Sequence, residues 1–387
     1  MALESHQKEK GQLSENKERP LFKMKRLESL DALRGFDMFM ITGGAIPLRL
    51  LHGKTGLPWV DAIADQLVHP EWHGFTFYDF IFPLFLFMSG VSLVYSINNS
   101  LKSGATHLQI YNGMFKRMLV LMVLGILDKN NPLTILEPEN IRFGNVLGRI
   151  GLACFLATFL YLNFPNPRKL FYIASGILVA YCAAVFLIPV PGYGAGDLSF
   201  EGNLPGWIDR TIMPGRLLQG TYDELAVSTF FSASCLTVFG LIAGDTLRSV
   251  KTAYQKVWIL TLMGIFGVVS GLVWGIYFPI NKHLWSSSFI LLTGGMAFLF
   301  MAFFYWVIDV LGYKKWAFFF KVIGVNSLVI YLGTSLINFK YSSARLFKGF
   351  YMYAPEDWHA FYQSLGTVVL VWLFLYFLYR NKIFVKV

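Results

Sequence analysis

An all-α fold, a polytopic integral membrane bundle of about ten transmembrane helices, is the class this chain predicts, and three observations carry it. Only 14% of its 387 residues are charged and 55% are hydrophobic, where soluble proteins average roughly a quarter charged. Apolar runs of about 20 residues recur from end to end, the length a helix needs to cross the hydrocarbon. Glycine is frequent inside those runs, which suits close helix packing in lipid. Residues 27–387 therefore read as one membrane domain. The polar, basic stretch 1–26 before it is expected to be a disordered cytoplasmic tail. It lacks the apolar core that a cleavable signal needs.

The predicted spans are 32–51, 75–97, 113–128, 144–163, 170–190, 226–246, 256–278, 287–310, 317–339 and 359–379. The first contains Gly43, Gly44 and Pro47 and is expected to be broken or tilted. The third is short and needs Met114–Lys116 or the following loop to reach across. Orientation follows from positive charge. With the N-terminus inside, the inner segments hold 20 Lys and Arg and the outer loops nine, so both termini are expected to be cytoplasmic. Parity then places the loop around His69, the stretch 191–225 and the segment Pro279–Trp285 outside. The net charge of +10 is scattered over helix ends and forms no stripe, which argues against nucleic acid. Cys154, Cys182 and Cys235 lie in apolar runs and read as packing residues.

The residues that could carry chemistry gather on the outer side. His69 stands at the mouth of the second span, and Asp79 lies just inside it, where a carboxylate is costly unless paired or functional. A carboxylate beside an imidazole would fix its tautomer; the alternative is an Asp that pairs with a buried Arg, and Arg149 in the fourth span is one. Arg149 or Arg34 could bind a phosphate, although Asp31 is three residues from Arg34, in position for a local pair. His69, Glu71 and His73 have zinc-like spacing, but Pro70 and a missing third ligand make that reading weak, and no metal is expected. Pro279–Ser286 is a polar knot between two spans, either an interfacial turn or a donor cluster for a sugar or phosphate. Asn326 lies mid-membrane and could simply cross-link helices. Gly43–Gly44 and Gly294–Gly295 either leave room for a path between helices or only tighten packing. No phosphate-cradling loop, dinucleotide fingerprint or serine-nucleophile elbow is visible.

These landmarks resemble, in order and spacing, the heparan-alpha-glucosaminide N-acetyltransferase family. The resemblance begins with Ser29-Leu30-Asp31-x-x-Arg34-Gly35 and His69-x-x-Trp72-x-Gly74-x-x-x-x-Asp79-x-x-Phe82-Pro83. It continues through Arg149-Ile150-Gly151, Gly206-Trp207-Ile208-Asp209-Arg210, Tyr222-Asp223, Pro279-Ile280-Asn281-Lys282-x-Leu284-Trp285-Ser286 and Asn326-Ser327 to Tyr379-Arg380. The resemblance implies a membrane enzyme that takes acetyl from cytosolic acetyl-CoA and delivers it to a glucosamine amino group across the membrane. It implies His69 as the catalytic histidine. Asp79 would orient it, Asn281 or Lys282 would meet the oxyanion, and Arg149, with Lys282 second, would meet the CoA phosphates. Trp285 joins Arg149, Asn281 and Lys282 as the expected cofactor-binding set, and Trp72, Asp209 and Asp223 as the expected acceptor-binding set. The chain departs from the family pattern at Thr42 and His73, where Asn is usual, at Glu224-Leu225, where Pro-Glu-Gly is usual, and in lacking the large luminal domain of the animal enzymes.

Other expectations complete the reading. The short loops suggest a bacterial inner membrane, with lipid as the surrounding partner and a homodimer compatible with the sequence. A transporter or exporter of a sugar or lipid-linked sugar is the alternative, since intramembrane Asp, Arg and Asn also suit one. The absence of a convincing inverted repeat weighs against it.

Overall fold

The computed structural model describes residues 27–130 and 132–385. The expected tail, 1–26, lies outside the described residues. The first helix, α1 (Glu28–Phe39), runs into a π-helical segment at Met40–Gly44 and a last turn at Ile46–Arg49. Thr42 and Gly43 leave helical geometry there, Gly43 with φ of 114°, a conformation glycine adopts without steric cost. The expected break of the first span is therefore present, at the glycine pair rather than at Pro47. Pro47 sits in the first turn of the new helix, where its missing N–H is not needed.

The long helices follow. After α2 (Pro58–Asp65), a surface turn of helix, come α3 (Ile81–Lys102), entered through a 3-10 turn at Phe77–Phe80, α4 (His107–Lys129), α5 (Val146–Asn163) and α6 (Pro167–Leu187). A short amphipathic helix, α7 (Leu204–Ile212), sits in the long loop, followed by α8 (Phe230–Arg248), α9 (Ala253–Trp274) and α10 (Ser287–Phe304), which continues as a π segment to Val310. The chain closes with α11 (Phe318–Gly324), α12 (Ser327–Leu336), α13 (Phe339–Tyr351) and α14 (His359–Arg380).

Eight helices among the described residues are long and apolar enough to cross a membrane, and α11 with α12, bent by 73°, supplies a ninth. The tenth expected span is α1 with its broken continuation. It carries Glu28, Asp31, Arg34 and Asp37, too many charges for an ordinary lipid-facing helix, and Asp31 and Asp37 are buried in the protein. The third expected span is not short: α4 starts at His107 behind a Thr106–Gln109 capping box and gains a turn and a half. The chain is a polytopic helical membrane protein.

α3, α5, α8 and α10 form the buried centre, while α4, α6, α9 and α14 turn one face outward. Their closest approaches use glycine. A side chain at Gly90 of α3 would run into the backbone of Thr237, and one at Gly240 of α8 into that of Phe87, so these two helices meet backbone to backbone. Gly295 faces Gly264 and Gly267 of α9, and Gly294 faces Phe239. The Gly294–Gly295 pair thus tightens helix packing, whereas Gly43 and Gly44 line a cavity of about 270 Å³ against α14. Cys154 and Cys235 are buried and Cys182 is half-buried, all as free thiols.

Candidate active site

His69 and Asp79 meet at the end of the bundle where α3 begins. The loop that delivers His69 turns through Pro70 and through Gly74, whose φ of 127° excludes a side chain. Gly74 N–H donates to the Ile280 carbonyl at 3.0 Å and ties this loop to the α9–α10 connection. The 3-10 turn then presents Asp79 twice. Its Oδ2 accepts from the Thr76 N–H at 3.0 Å, closing a capping box. Its Oδ1 lies 2.6 Å from His69 Nδ1. The carboxylate is buried while the imidazole is 39% exposed. Asp79 therefore holds the proton on Nδ1 and leaves Nε2 as the open, basic nitrogen. The Tyr78 ring packs on the imidazole at 4.8 Å.

Lys282 faces that nitrogen, with Nζ 3.3 Å from His69 Nε2. The α9–α10 connection is stiff where it carries this lysine. Trp285, fully buried, takes a positive φ of 46°, a strained choice for a bulky residue. It is locked there because its indole donates to the Glu224 carbonyl at 2.8 Å and its own carbonyl accepts from Ser232 at 2.9 Å. Asn281 is buried, accepts from the Leu284 N–H at 2.9 Å and donates its amide to His73 Nδ1 at 3.2 Å. His73, the residue standing where the family pattern has Asn, thus turns toward Asn281, away from His69.

The remaining expected residues surround this centre without touching His69 Nε2. Trp72 stacks on His283 at 5.4 Å, packs edge-on against Tyr222 at 5.1 Å and donates to the Leu198 carbonyl; it clamps the loops together. Arg149 is buried, donates Nη2 to the Ala226 carbonyl and to Thr229 at 2.8 Å, and lies over the Trp285 ring. It holds the 224–229 turn. Asp223 makes a two-pronged pair with Arg142 at 2.8 and 3.0 Å and accepts from two backbone N–H groups. Asp209 is buried and accepts from the N–H and hydroxyl of Ser228 at 3.0 and 2.7 Å. Burial pushes its carboxyl up to about 6, against the pull of Ser228 and Arg149.

Glu224 is the group that sequence reasoning missed. Its Oε2 lies 3.7 Å from Lys282 Nζ and 3.4 Å from His283 Nδ1. Burial works to raise this carboxyl, but Lys282, His283 and His69 together outweigh it and hold it at about 2. The signal was present as a departure, an acid directly after Tyr222-Asp223 in an outer loop.

A cavity of about 530 Å³ runs down the bundle beside this site. Its wall on α3 extends from Phe82 to Asn99, about 26 Å at the helical rise. It ends one helical turn below Asp79, where the Phe82 ring meets Trp285 at 5.4 Å. At the far end Arg34 and Arg117 line it, with Asn99 and Ser92. Arg34 bonds to Ser92 and lies 4.0 Å from Asp31, the local pair its spacing predicts. Arg149, Asn281, Lys282 and Trp285 are not part of this wall. Thr42, with its hydroxyl on the Met38 carbonyl at 2.6 Å, lines the smaller cavity.

A profile of the family "Heparan-alpha-glucosaminide N-acetyltransferase, catalytic" matches residues 26–191. The human protein of the name heparan-alpha-glucosaminide N-acetyltransferase is 25% identical over 94% of this chain, and the mouse protein of the same name 27% identical over 82%. The chain spans 60% of the length of the first and 56% of the second. Profile and relatives agree with the order of polar landmarks, and the chain is similar to the heparan-alpha-glucosaminide N-acetyltransferases over most of its length.

Proposed function

We propose that this protein is a transmembrane N-acetyltransferase, which moves acetyl from cytosolic acetyl-CoA to the amino group of a glucosamine-type sugar on the extracytoplasmic side of a bacterial inner membrane. The His69–Asp79 pair at 2.6 Å, with Nε2 turned outward, carries the reading. It has the parts of a general base with its orienting carboxylate. The long cavity supports a donor that enters from the opposite end. Its cations Arg34 and Arg117 suit phosphates, and its length suits an extended thioester arm.

The chemistry is acyl transfer. The amine attacks the thioester carbonyl, and His69 Nε2 takes the proton that the nitrogen loses. Lys282 stabilises the oxyanion that forms, the largest single contribution in reactions of this kind. The carbon–sulfur bond then breaks, and His69 returns the proton to the departing thiolate. An acetyl-histidine intermediate would place the same atoms in two steps and give ping-pong kinetics.

The test is transfer of labelled acetyl from acetyl-CoA to glucosamine by the purified protein, beside His69→Ala. The reading expects activity that is lost in a folded His69→Ala protein. Equal rates in both would move the base elsewhere. No transfer to any amino sugar, with uptake of a sugar instead, would favour a transporter.

A further inference from the structure

Lys282 stands between three groups. Its Nζ is 3.3 Å from His69 Nε2, 3.9 Å from Asp79 Oδ1 and 3.7 Å from Glu224 Oε2. Only the first distance is a hydrogen bond. The acceptors on Asp79 are already engaged, Oδ1 by His69 and Oδ2 by Thr76. Glu224 differs: its Oε2 is buried and accepts no hydrogen bond. A buried carboxylate oxygen without a donor is costly; the nearest nitrogen, His283 Nδ1 at 3.4 Å, is already engaged by the Tyr222 hydroxyl at 3.1 Å, and the next, at 3.7 Å, is the flexible Lys282. Glu224 itself is fixed, since its carbonyl accepts from the Trp285 indole and from Arg149.

The reading of His69 as base, on which this inference rests, gives the arrangement a consequence. The acceptor amine must reach the Nε2 lone pair, and the Lys282 ammonium now occupies it. Two such groups cannot share one lone pair. We propose that Glu224 is a positioning residue that receives Lys282 when the amine enters, which frees His69 Nε2 and leaves Lys282 beside the forming oxyanion. The movement is short, because Nζ has only to close the gap to Glu224 Oε2, and the lysine stays among carboxylates throughout. His283 and Tyr222, which flank Glu224 from the other side, do not have to move.

The experiment uses the full-length protein in detergent and compares wild type with Glu224→Gln, Glu224→Asp, Lys282→Met and the Glu224→Gln/Lys282→Met pair. The first readout is the rate at which diethyl pyrocarbonate modifies His69, resolved from the other six histidines by peptide mass spectrometry. It needs no acetyl transfer. Glu224→Gln should react at least about 5-fold more slowly than wild type, because Lys282 then has no partner to leave for. Glu224→Asp should stay within about twofold of wild type, and the double variant should match Lys282→Met, which exposes Nε2 outright. The second readout is kcat/KM for the amine, which Glu224→Gln should lower about tenfold in wild type and not at all in the Lys282→Met background.

Equal modification rates in wild type and Glu224→Gln, or effects that simply multiply, would overturn the proposal. A Glu224→Gln protein that cannot be obtained folded also counts against it, because the carboxylate would then be structural. The expected modification pattern without acetyl transfer to any amino sugar would support the lysine movement and remove the enzyme reading alone.

Discussion

Two carboxylates, Asp79 and Asp223, lie in the same layer of loops at one end of the bundle, and the contrast between them separates chemistry from architecture. Asp223 is closed. Arg142 takes both of its oxygens and two backbone N–H groups complete it. Asp79 is equally buried, but its partner is an imidazole that remains 39% exposed and whose second nitrogen meets only the Lys282 ammonium. A satisfied buried pair with no exit for a proton can only hold structure. A buried carboxylate that ends on an exposed histidine can act on a substrate. Sequence set Asp79 beside the catalytic histidine and Asp223 among the acceptor-binding residues, and the partner each finds is what separates them here.

The contrast makes predictions of decreasing size. His69→Ala and Asp79→Asn should each lower kcat by roughly 10²- to 10⁴-fold, the range of general-base catalysis, while the protein still elutes as a folded species and melts normally. A melt that collapses with Asp79→Asn would make Asp79 another Asp223. Asp223→Ala should do the reverse. Leaving Arg142 buried without its partner costs about 3–5 kcal/mol, so folded yield falls, yet the surviving molecules keep their KM values. A changed KM for the sugar would restore Asp223 to the acceptor site.

Asp209 sharpens the comparison through pH. Its folded-state carboxyl lies at about 6, above the ordinary 3.8. The folded state therefore binds this proton more tightly than the unfolded state. The stability it contributes is complete below about pH 4 and is lost as pH rises through about 6. The loss is at most roughly 3 kcal/mol. The melting temperature should accordingly rise as pH falls from 7 to 5, and Asp209→Asn should remove that slope. The smallest effect is expected at the far end of the cavity. Arg34→Gln should raise KM for acetyl-CoA about tenfold, one charged hydrogen bond's worth, with the amine KM unchanged.

What the sequence disclosed followed from locality. Apolar period and length gave the spans, and Gly43–Gly44 gave the break in the first. His69 and Asp79 were legible as a pair because ten residues and one turn separate them. Lys282 is 213 residues from His69, and nothing in local pattern could join them, although the polar knot that holds it stood out. Arg149 illustrates the converse. An intramembrane arginine suggested a phosphate site; its Nη2 donates to carbonyls of the 224–229 turn, while Nε and Nη1 have no hydrogen-bond partner among the described residues, and the long cavity does not reach it. Of the cations that do line the long cavity, Arg34 read as either a phosphate ligand or a local partner of Asp31, and Arg117 as an ordinary inner-face charge. The bend between α11 and α12 was also invisible, since Asn326 at that bend is explained only by the C-terminal segment it binds, at Ile383 and Val385.

The central claim is that acetyl crosses the bilayer along the cavity to an amine at His69. Sealed proteoliposomes of known orientation test it, with labelled acetyl-CoA on the Arg34 side alone and glucosamine on the His69 side alone. The account predicts N-acetylglucosamine on the His69 side, none with the two substrates exchanged, and none from His69→Ala. Product that forms only when both substrates share one side would contradict it.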